Sequence, residues 1–152
     1  MKGRKYLLYD VFTRQPLEGN PLAIVLDAEG LDAPDMQRIA REFNLSETVF
    51  VDTPSSAKHK ARLRIFAPDR EMPFAGHPTV GAAIALSELG PGADADEIFV
   101  LEENIGPVRC AISRNTSGLF AEFDLVELPQ RLKLAVEPEM VGAVLGLDAD
   151  EI

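Results

Sequence analysis

The chain has 152 residues, a length typical of one domain with a buried core, and 46% of them are hydrophobic. Its formal net charge of −10, from 15 Lys and Arg against 25 Asp and Glu, argues against a nucleic-acid or anionic-membrane partner. No apolar run approaches the roughly 18 residues of a membrane span. Asp10 interrupts the first apolar stretch too early for a signal peptide, so we expect a cytoplasmic location. The acidic clusters, including Glu102 and Glu103, are expected to form solvated surface.

The hydrophobic pattern predicts strands that alternate with a few helices. A first helix is indicated between Gly30 and Asn44, with Asp32 as its cap and Pro34 in its first turn. A later segment, Pro138 to Leu147, is also typical of a helix. The pattern therefore predicts an α+β fold with a curled mixed or antiparallel sheet. The predicted strands cover about residues 5–12, 22–26, 47–51, 63–67, 98–101, 108–112 and 119–125.

The second helix, predicted from Pro78 to Leu89, is apolar or small on every side. A helix without a polar face is buried all round, and in a chain of mostly strands the sheet would wrap around it. Pro78 suits the first helical position, which places His77 at the cap beside free backbone amides and the positive end of the helix dipole. Such an end can hold an anion, although a His77 that only caps the helix fits the residue types equally well.

Glu47 lies between the first helix and an apolar strand that contains Val49 and Phe50. A carboxyl group that is partly removed from water is suited to proton transfer. A Glu at the start of a strand is more often exposed, and on spacing and composition alone the exposed alternative is favoured.

A single cysteine, Cys110, excludes an internal disulfide, a Cys cluster for zinc and a two-thiol mechanism within this chain. It alternates with apolar neighbours, which predicts a buried structural thiol. His59 and His77 are far apart without carboxylates at ligating distance in sequence, so no metal site is expected, and His59 is expected in a solvated loop. No nucleotide cofactor is expected, because Gly90-Pro91-Gly92 is typical of a turn rather than a phosphate loop.

Five short motifs occur together in this order: Tyr9-Asp10-Val11-Phe12-Thr13, Gly19-Asn20-Pro21-Leu22-Ala23, Asn44-Leu45-Ser46-Glu47-Thr48, Ile65-Phe66-Ala67-Pro68 and Phe74-Ala75-Gly76-His77-Pro78-Thr79-Val80-Gly81. Together they resemble the PhzF family of phenazine-biosynthesis isomerases, and the resemblance extends over about residues 5–112. It implies a diaminopimelate-epimerase-like fold, in which two similar domains each curl a sheet around a central helix. The active site would lie between the two domains.

The resemblance also implies roles for single residues. Glu47 would be the acid and base that moves a proton between carbons of a small cyclic or unsaturated carboxylic acid without a cofactor, and His77 would assist it. The substrate carboxylate would rest on the amides after His77. Related enzymes of this fold that depend on thiols carry a cysteine at the start of the central helix, so a carboxylate mechanism is favoured here. Substrate contacts are implied for Ser46, Gly76, Asn20, Pro78 and Thr79.

Family members run to nearly twice this length. We therefore predict a PhzF-like N-terminal domain over residues 1–128, followed over 129–152 by a connecting segment and the start of a second domain. The chain would be a truncated or separately expressed domain, a natural half-length protein that pairs as a homodimer or with a second half, or a relic that binds without turnover. The last case is the alternative function, a non-catalytic binding or interaction module for small acids.

Overall fold

The computed structural model of the chain describes residues 3–90, 95–116, 118–130 and 137–152. Within these ranges no helix is both long and apolar enough to cross a membrane. The predicted turn at 90–92 lies partly outside the described residues. The elements, in chain order, are β1 (Tyr6–Val11), β2 (Asn20–Val25), α1 (Ala33–Phe43), β3 (Thr48–Asp52), β4 (Ala61–Phe66), β5 (Glu71–Met72), α2 (Gly76–Glu88), β6 (Glu97–Glu103), β7 (Gly106–Asn115), β8 (Gly118–Phe123), α3 (Pro138–Leu145) and a final 3-10 turn (Ala149–Glu151).

The strands form one mixed sheet in the order β1-β2-β3-β4-β6-β7-β8, with the short β5 paired to β4. Neighbouring strands run antiparallel except for the pairs β2–β3 and β4–β6, which are parallel. Both ends of the sheet, β1 and β8, pack against α2, so the sheet curls around this helix as a half-barrel. The predicted α+β fold, a curled sheet wrapped around a central helix, is confirmed.

Small residues let α2 approach the sheet closely. Ala82, Ala83 and Ala85 are buried in the main core. At Gly81 an added Cβ would lie 2.6 Å from Leu22 Cδ2 and 2.8 Å from Val11 Cγ2, so β1 and β2 are in direct contact with the helix backbone. This contact fixes the depth at which α2 sits inside the sheet.

The expectation that α2 is buried on all sides is wrong for one side of the helix. Val80 and Ile84 are only half-buried and line a groove of about 850 Å³ between β1 and β8. The reason is that the curled sheet does not close, so its two ends leave this face of the helix uncovered.

The outer face of the sheet is covered by α1. Asp32 caps this helix by accepting a hydrogen bond from the Asp35 N–H at 2.8 Å, and Asn44 ends it in the left-handed region at φ 52°. Both predicted ends of the helix are confirmed. Met36 and Ala40 form a second, smaller core with apolar side chains of β2, β3 and β4.

One strand was not predicted, and one helix begins earlier than predicted. Glu71–Met72, which forms β5, is too short to show a strand period and adds an eighth strand among the described residues. The helix α2 begins at Gly76 rather than Pro78, so Ala75 is the cap and His77 lies in the first turn. Pro78 is compatible with this start because no N–H in the first turn has an intrahelical partner.

Three polar predictions have mixed outcomes. Cys110 is buried as predicted, and burial raises its pKa to about 12. His59 is not solvated: its Nδ1 lies 2.6 Å from Glu102 Oε1, and its side chain is three-quarters covered. Glu103, expected at the surface, is only 8% exposed. Glu102 was also expected at the surface, and its side chain is only 14% exposed. It lies on the opposite face of β6 from Glu103, because successive side chains of a strand point to opposite faces of the sheet.

The predicted helix at the C-terminal end is present as α3, and it ends at Leu145 instead of Leu147. Its apolar residues Met140, Val144 and Leu145 are exposed. The predicted domain boundary after residue 128 stays a prediction, and residues 131–136 beside it lie outside the described ranges.

Candidate active site

Three elements meet at one end of the sheet and form the candidate site. Asn20 is the first residue of β2, Glu47 comes directly before β3, and His77 is the second residue of α2. Because β2 and β3 are parallel neighbours, with Ala23 opposite Thr48, both strands begin at the same end of the sheet. The start of α2 packs against this end of the sheet, so the three residues come together although they are distant in sequence.

Glu47 and His77 are in direct contact. The Nδ1 atom of His77 lies 2.8 Å from Oε2 of Glu47, and Nε2 lies 3.0 Å from the backbone oxygen of Asn20. The side chain of His77 is 9% exposed and that of Glu47 is 22% exposed. The imidazole is therefore held at both nitrogens, while the carboxylate keeps access to the surface.

The partners of His77 define where its protons lie. A backbone oxygen only accepts hydrogen bonds, so Nε2 of His77 carries a hydrogen and donates it to Asn20. The contact from Nδ1 to Glu47 then contains one proton, either on an imidazolium facing a carboxylate or on a carboxylic acid facing a neutral imidazole. Either arrangement keeps one proton between the carboxylate and the imidazole, and such a geometry is compatible with a group that takes up and returns protons.

Phe12 covers the imidazole from the solvent side. Its ring centroid lies 5.8 Å from that of His77, and Phe12 is 72% exposed. Its φ of 66° is unusual for a bulky residue and turns the chain away from β1 toward the site. Phe12 was not among the predicted site residues, because a positive φ at a residue other than glycine leaves no mark in the sequence.

Two further predicted residues lie beside this pair. The Ser46 hydroxyl donates to Asn20 Oδ1 over 3.4 Å at the surface. Gly76 comes immediately before His77, and an added Cβ there would lie 3.3 Å from the ring of Phe123. The structure thus brings together Asn20, Ser46, Glu47, Gly76 and His77.

Pro78 and Thr79 are placed differently, since both are buried in α2. The Thr79 hydroxyl lies 2.7 Å from the backbone oxygen of Ala75 and 2.8 Å from Oε1 of Glu103. A substrate contact of Pro78 or Thr79 stays a prediction, and in the folded chain both side chains face the core.

The amides expected to hold an anion also require a correction. Pro78 has no N–H, and the Thr79 N–H donates to the backbone oxygen of Ala75 at 3.2 Å. The amides after His77 are therefore not free. Because α2 begins two residues earlier than predicted, the N–H groups without an intrahelical partner are those of Gly76 and His77 themselves.

In the described part of the chain, no group of three or more His, Cys, Asp or Glu side chains is arranged to hold a metal ion.

Fold and site together define a class: an α+β protein whose curled sheet surrounds a helix that begins at a carboxylate–histidine pair. A family model described as "Phenazine biosynthesis-like protein" matches residues 9–151. The chain belongs to this family, PhzC-PhzF, as the motifs predicted.

Individual relatives agree with this assignment. An uncharacterized isomerase of Mesorhizobium japonicum is 65% identical over 152 residues, which is 100% of this chain and 50% of the relative. The trans-2,3-dihydro-3-hydroxyanthranilate isomerase of Pseudomonas aeruginosa is 45% identical over 77% of this chain and 40% of its own length. The crystal structure of a PhzF-family protein of Bacillus anthracis is similar at a TM-score of 0.83 and 36% identity, over 100% of this chain and 50% of that one. The chain spans about half the length of these relatives.

Proposed function

We propose that the chain carries the acid–base part of a cofactor-independent isomerase site, in which Glu47 moves a proton on a small cyclic or unsaturated carboxylic acid. The observation that carries the proposal is the contact between Glu47 and His77, with the second imidazole nitrogen donating to Asn20. The isomerase names of the relatives support the reaction class. The substrate class is supported by the relative named for trans-2,3-dihydro-3-hydroxyanthranilate, a cyclic unsaturated acid in a family named for phenazine biosynthesis.

The proposed reaction starts with Glu47 ionised and the shared proton on His77. The free oxygen of Glu47 removes a proton from a substrate carbon, and the electron pair is delocalised through the neighbouring double bond toward the acid group. Glu47 then returns this proton to a different carbon, which completes the isomerisation and restores the carboxylate. His77 stays protonated throughout and offsets the negative charge that develops on the substrate.

The substrate needs a fixed orientation for this transfer. The N–H groups of Gly76 and His77, at the positive end of α2, would receive its carboxylate. Ser46 and Asn20 supply polar groups at the rim, and Phe12 supplies an apolar wall on the solvent side. A second domain or a second chain would close the site, as a homodimer or as a pair with a separate half, because the relatives are about twice as long.

Replacement of Glu47 by Gln tests the role of the carboxylate. With trans-2,3-dihydro-3-hydroxyanthranilate in deuterated water, proton exchange into the ring followed by NMR should fall about 10²- to 10⁴-fold, the usual contribution of a general acid and base. Binding measured by calorimetry should change little, because Gln has the same shape. The control is Glu42→Gln, at an exposed position of α1. Undiminished exchange in Glu47→Gln would exclude this carboxylate as the proton carrier.

A binding module for small carboxylic acids is the second candidate function, favoured by the N–H groups of Gly76 and His77 that lack an intrahelical partner at the start of α2. In that case calorimetry with small carboxylic acids shows binding, while exchange is absent from the wild-type chain in every assembly state. The two functions are therefore separated by exchange in the wild type, before any variant is made.

A further inference from the structure

A buried carboxyl group lies behind the candidate site and takes no part in the proposed reaction. Glu103 is the last residue of β6 and is 8% exposed. Its Oε1 contacts the Thr79 hydroxyl at 2.8 Å, whereas Oε2 is buried without a hydrogen-bond partner among the described residues. A carboxylate left in this state would be costly, because a buried charge needs a partner for each of its acceptor atoms.

The geometry around Thr79 indicates which of Thr79 and Glu103 donates in each of their hydrogen bonds. The Thr79 hydroxyl lies within hydrogen-bond distance of two oxygens, that of Ala75 and Oε1 of Glu103, but it has only one hydrogen. If Glu103 were ionised, one of the two contacts would join two acceptors without a hydrogen. If Glu103 is a neutral acid, it donates to Thr79 and Thr79 donates to Ala75, so both contacts are hydrogen bonds.

The electrostatic surroundings agree with a neutral acid. Burial raises the pKa of Glu103 to about 7, and the hydrogen bond that Thr79 would donate to the ionised carboxylate opposes this only in part. Cys110 of β7 acts on the same region as a neutral thiol, since burial, then Glu103 and Asp124, raise its pKa. A neutral thiol at Cys110 supplies no charge that would stabilise an ionised Glu103.

The hydrogen bonds lead directly to the candidate site. Ala75 is the cap of α2 and has no side-chain capping bond, so its carbonyl is the point at which the first turn is held. It accepts from both the N–H and the hydroxyl of Thr79. Gly76 and His77 follow in the chain, and His77 contacts Glu47 at 2.8 Å.

We propose that Glu103, as a neutral carboxylic acid, is a positioning residue for the Glu47–His77 pair. It donates to Thr79, Thr79 donates to Ala75, and these bonds fix the turn that presents His77 and the two amides. Ionisation of Glu103 removes the first donor and loosens the turn. The catalytic meaning of this role rests on the proposed function, whereas the effect on the turn can be measured without turnover.

The test follows the backbone amide signals of Gly76, His77 and Thr79 by NMR from about pH 5 to pH 9, the range around the pKa of the buried acid. The wild-type signals should show an inflection near pH 7 that disappears in Glu103→Gln, since Gln keeps a hydrogen-bond donor at every pH. The control Glu122→Gln removes an exposed carboxylate of β8 and should retain the inflection. Superimposable curves for the wild type and Glu103→Gln would overturn the proposal.

A second pair of variants keeps the proposal testable if the Glu103→Gln protein does not fold. Thr79→Val removes the hydroxyl at nearly constant volume and should uncouple His77 from the ionisation of Glu103, whereas Thr79→Ser should retain the wild-type curve. In the exchange assay, wild-type activity should fall as Glu103 ionises, and Glu103→Gln should remove that limb of the pH profile. Where the wild type exchanges protons, identical pH profiles of exchange for the wild type and Glu103→Gln would also contradict the proposal. If the amide signals respond to pH but neither the wild type nor any variant exchanges protons into the substrate, the proposed function is wrong and the positioning role is supported.

Discussion

The carbonyl of Asn20 determines the chemistry of the site more than any side chain except Glu47 and His77. It accepts from Nε2 of His77 and leaves Nδ1 for the carboxylate. Asn20 was predicted as a site residue from the motifs, without a separate role for its backbone. Substitution of the Asn20 side chain is therefore expected to affect Ser46 at the rim and to leave the hydrogen bond to His77 in place.

Glu103 makes the stability of the fold depend on pH. Its pKa is raised from 4.5 to about 7, so between these values the folded chain retains a proton that the unfolded chain loses. The free energy of unfolding should therefore decrease as pH rises from about 4.5 to about 7, and should stay level above that. A shift of this size corresponds to an upper limit of roughly 3 kcal/mol.

Urea denaturation at a series of pH values measures this contribution. The difference between the wild type and Glu103→Gln should change across this range, with the variant relatively more stable at neutral pH, because Gln needs no proton to stay neutral. Glu122→Gln, which removes an exposed carboxylate, should follow the wild type. Parallel pH profiles for the wild type and Glu103→Gln would show that Glu103 ionises equally in both states.

The residues that the motifs selected lie together in the structure, whereas Glu103 was predicted at the surface and is buried. Glu47 and His77 were selected by the resemblance, and the structure brings them into contact. Glu103 was placed at the surface because it follows another Glu. The alternation of Phe99, Leu101 and Glu103 on one face of β6 was a signal for burial, but its partner Thr79 lies on another element and leaves no local trace.

At the scale of elements, α2 depends on Gly81. Alanine at a helical position is ordinarily better than glycine by about 1 kcal/mol. Here a Cβ would lie 2.6 Å from Leu22 and 2.8 Å from Val11, and overpacking of this kind costs about 1–3 kcal/mol. Gly81→Ala should therefore lower the free energy of unfolding by up to about 2 kcal/mol, the net of these two terms.

Thermal unfolding of a double variant separates packing from other causes. Leu22→Ala removes the side chain that the new methyl group would meet, so its cost and that of Gly81→Ala should not add. The double variant should be more stable than the sum of the two single effects implies. Strict additivity, or a more stable Gly81→Ala protein, would mean that α2 does not need this close approach.

The elements differed in how far local sequence determines them. Both ends of α1 were predictable, because Asp32 and Asn44 act through bonds and dihedral angles within one turn. The start of α2 was not, since Pro78 is tolerated at several positions of a first turn and Ala75 offers no capping side chain. The β5 strand exists only through its pairing with β4.

For the whole molecule, the order of strands could not be read from periodicity. The parallel pairs β2–β3 and β4–β6 join segments separated by other elements. The first of these pairs brings the starts of β2 and β3 to the same end of the sheet, with Thr48 opposite Ala23. The curled sheet around α2 was predicted from the apolar character of the helix, and this prediction is confirmed. The two-domain arrangement comes from the resemblance alone and stays a prediction.

Two apolar surfaces of the described chain lack cover in the structure: the half-buried Val80 and Ile84 in the groove, and the exposed Met140 and Val144 of α3. Surfaces of this kind commonly mark places of association. They are consistent with a site that a further domain or chain completes, which is the arrangement the proposed function requires.

A fusion protein tests this requirement directly. The chain is joined to the half of the Mesorhizobium japonicum relative that its match does not cover, since the two proteins are 65% identical over the whole chain. The fusion should exchange protons into trans-2,3-dihydro-3-hydroxyanthranilate at least about 100-fold faster than the chain alone, because a closed site orients the substrate and excludes water. Glu47→Gln in the fusion should remove that gain. Equal rates for the chain and the fusion, with the chain monomeric by light scattering, would show that residues 1–152 hold a complete site.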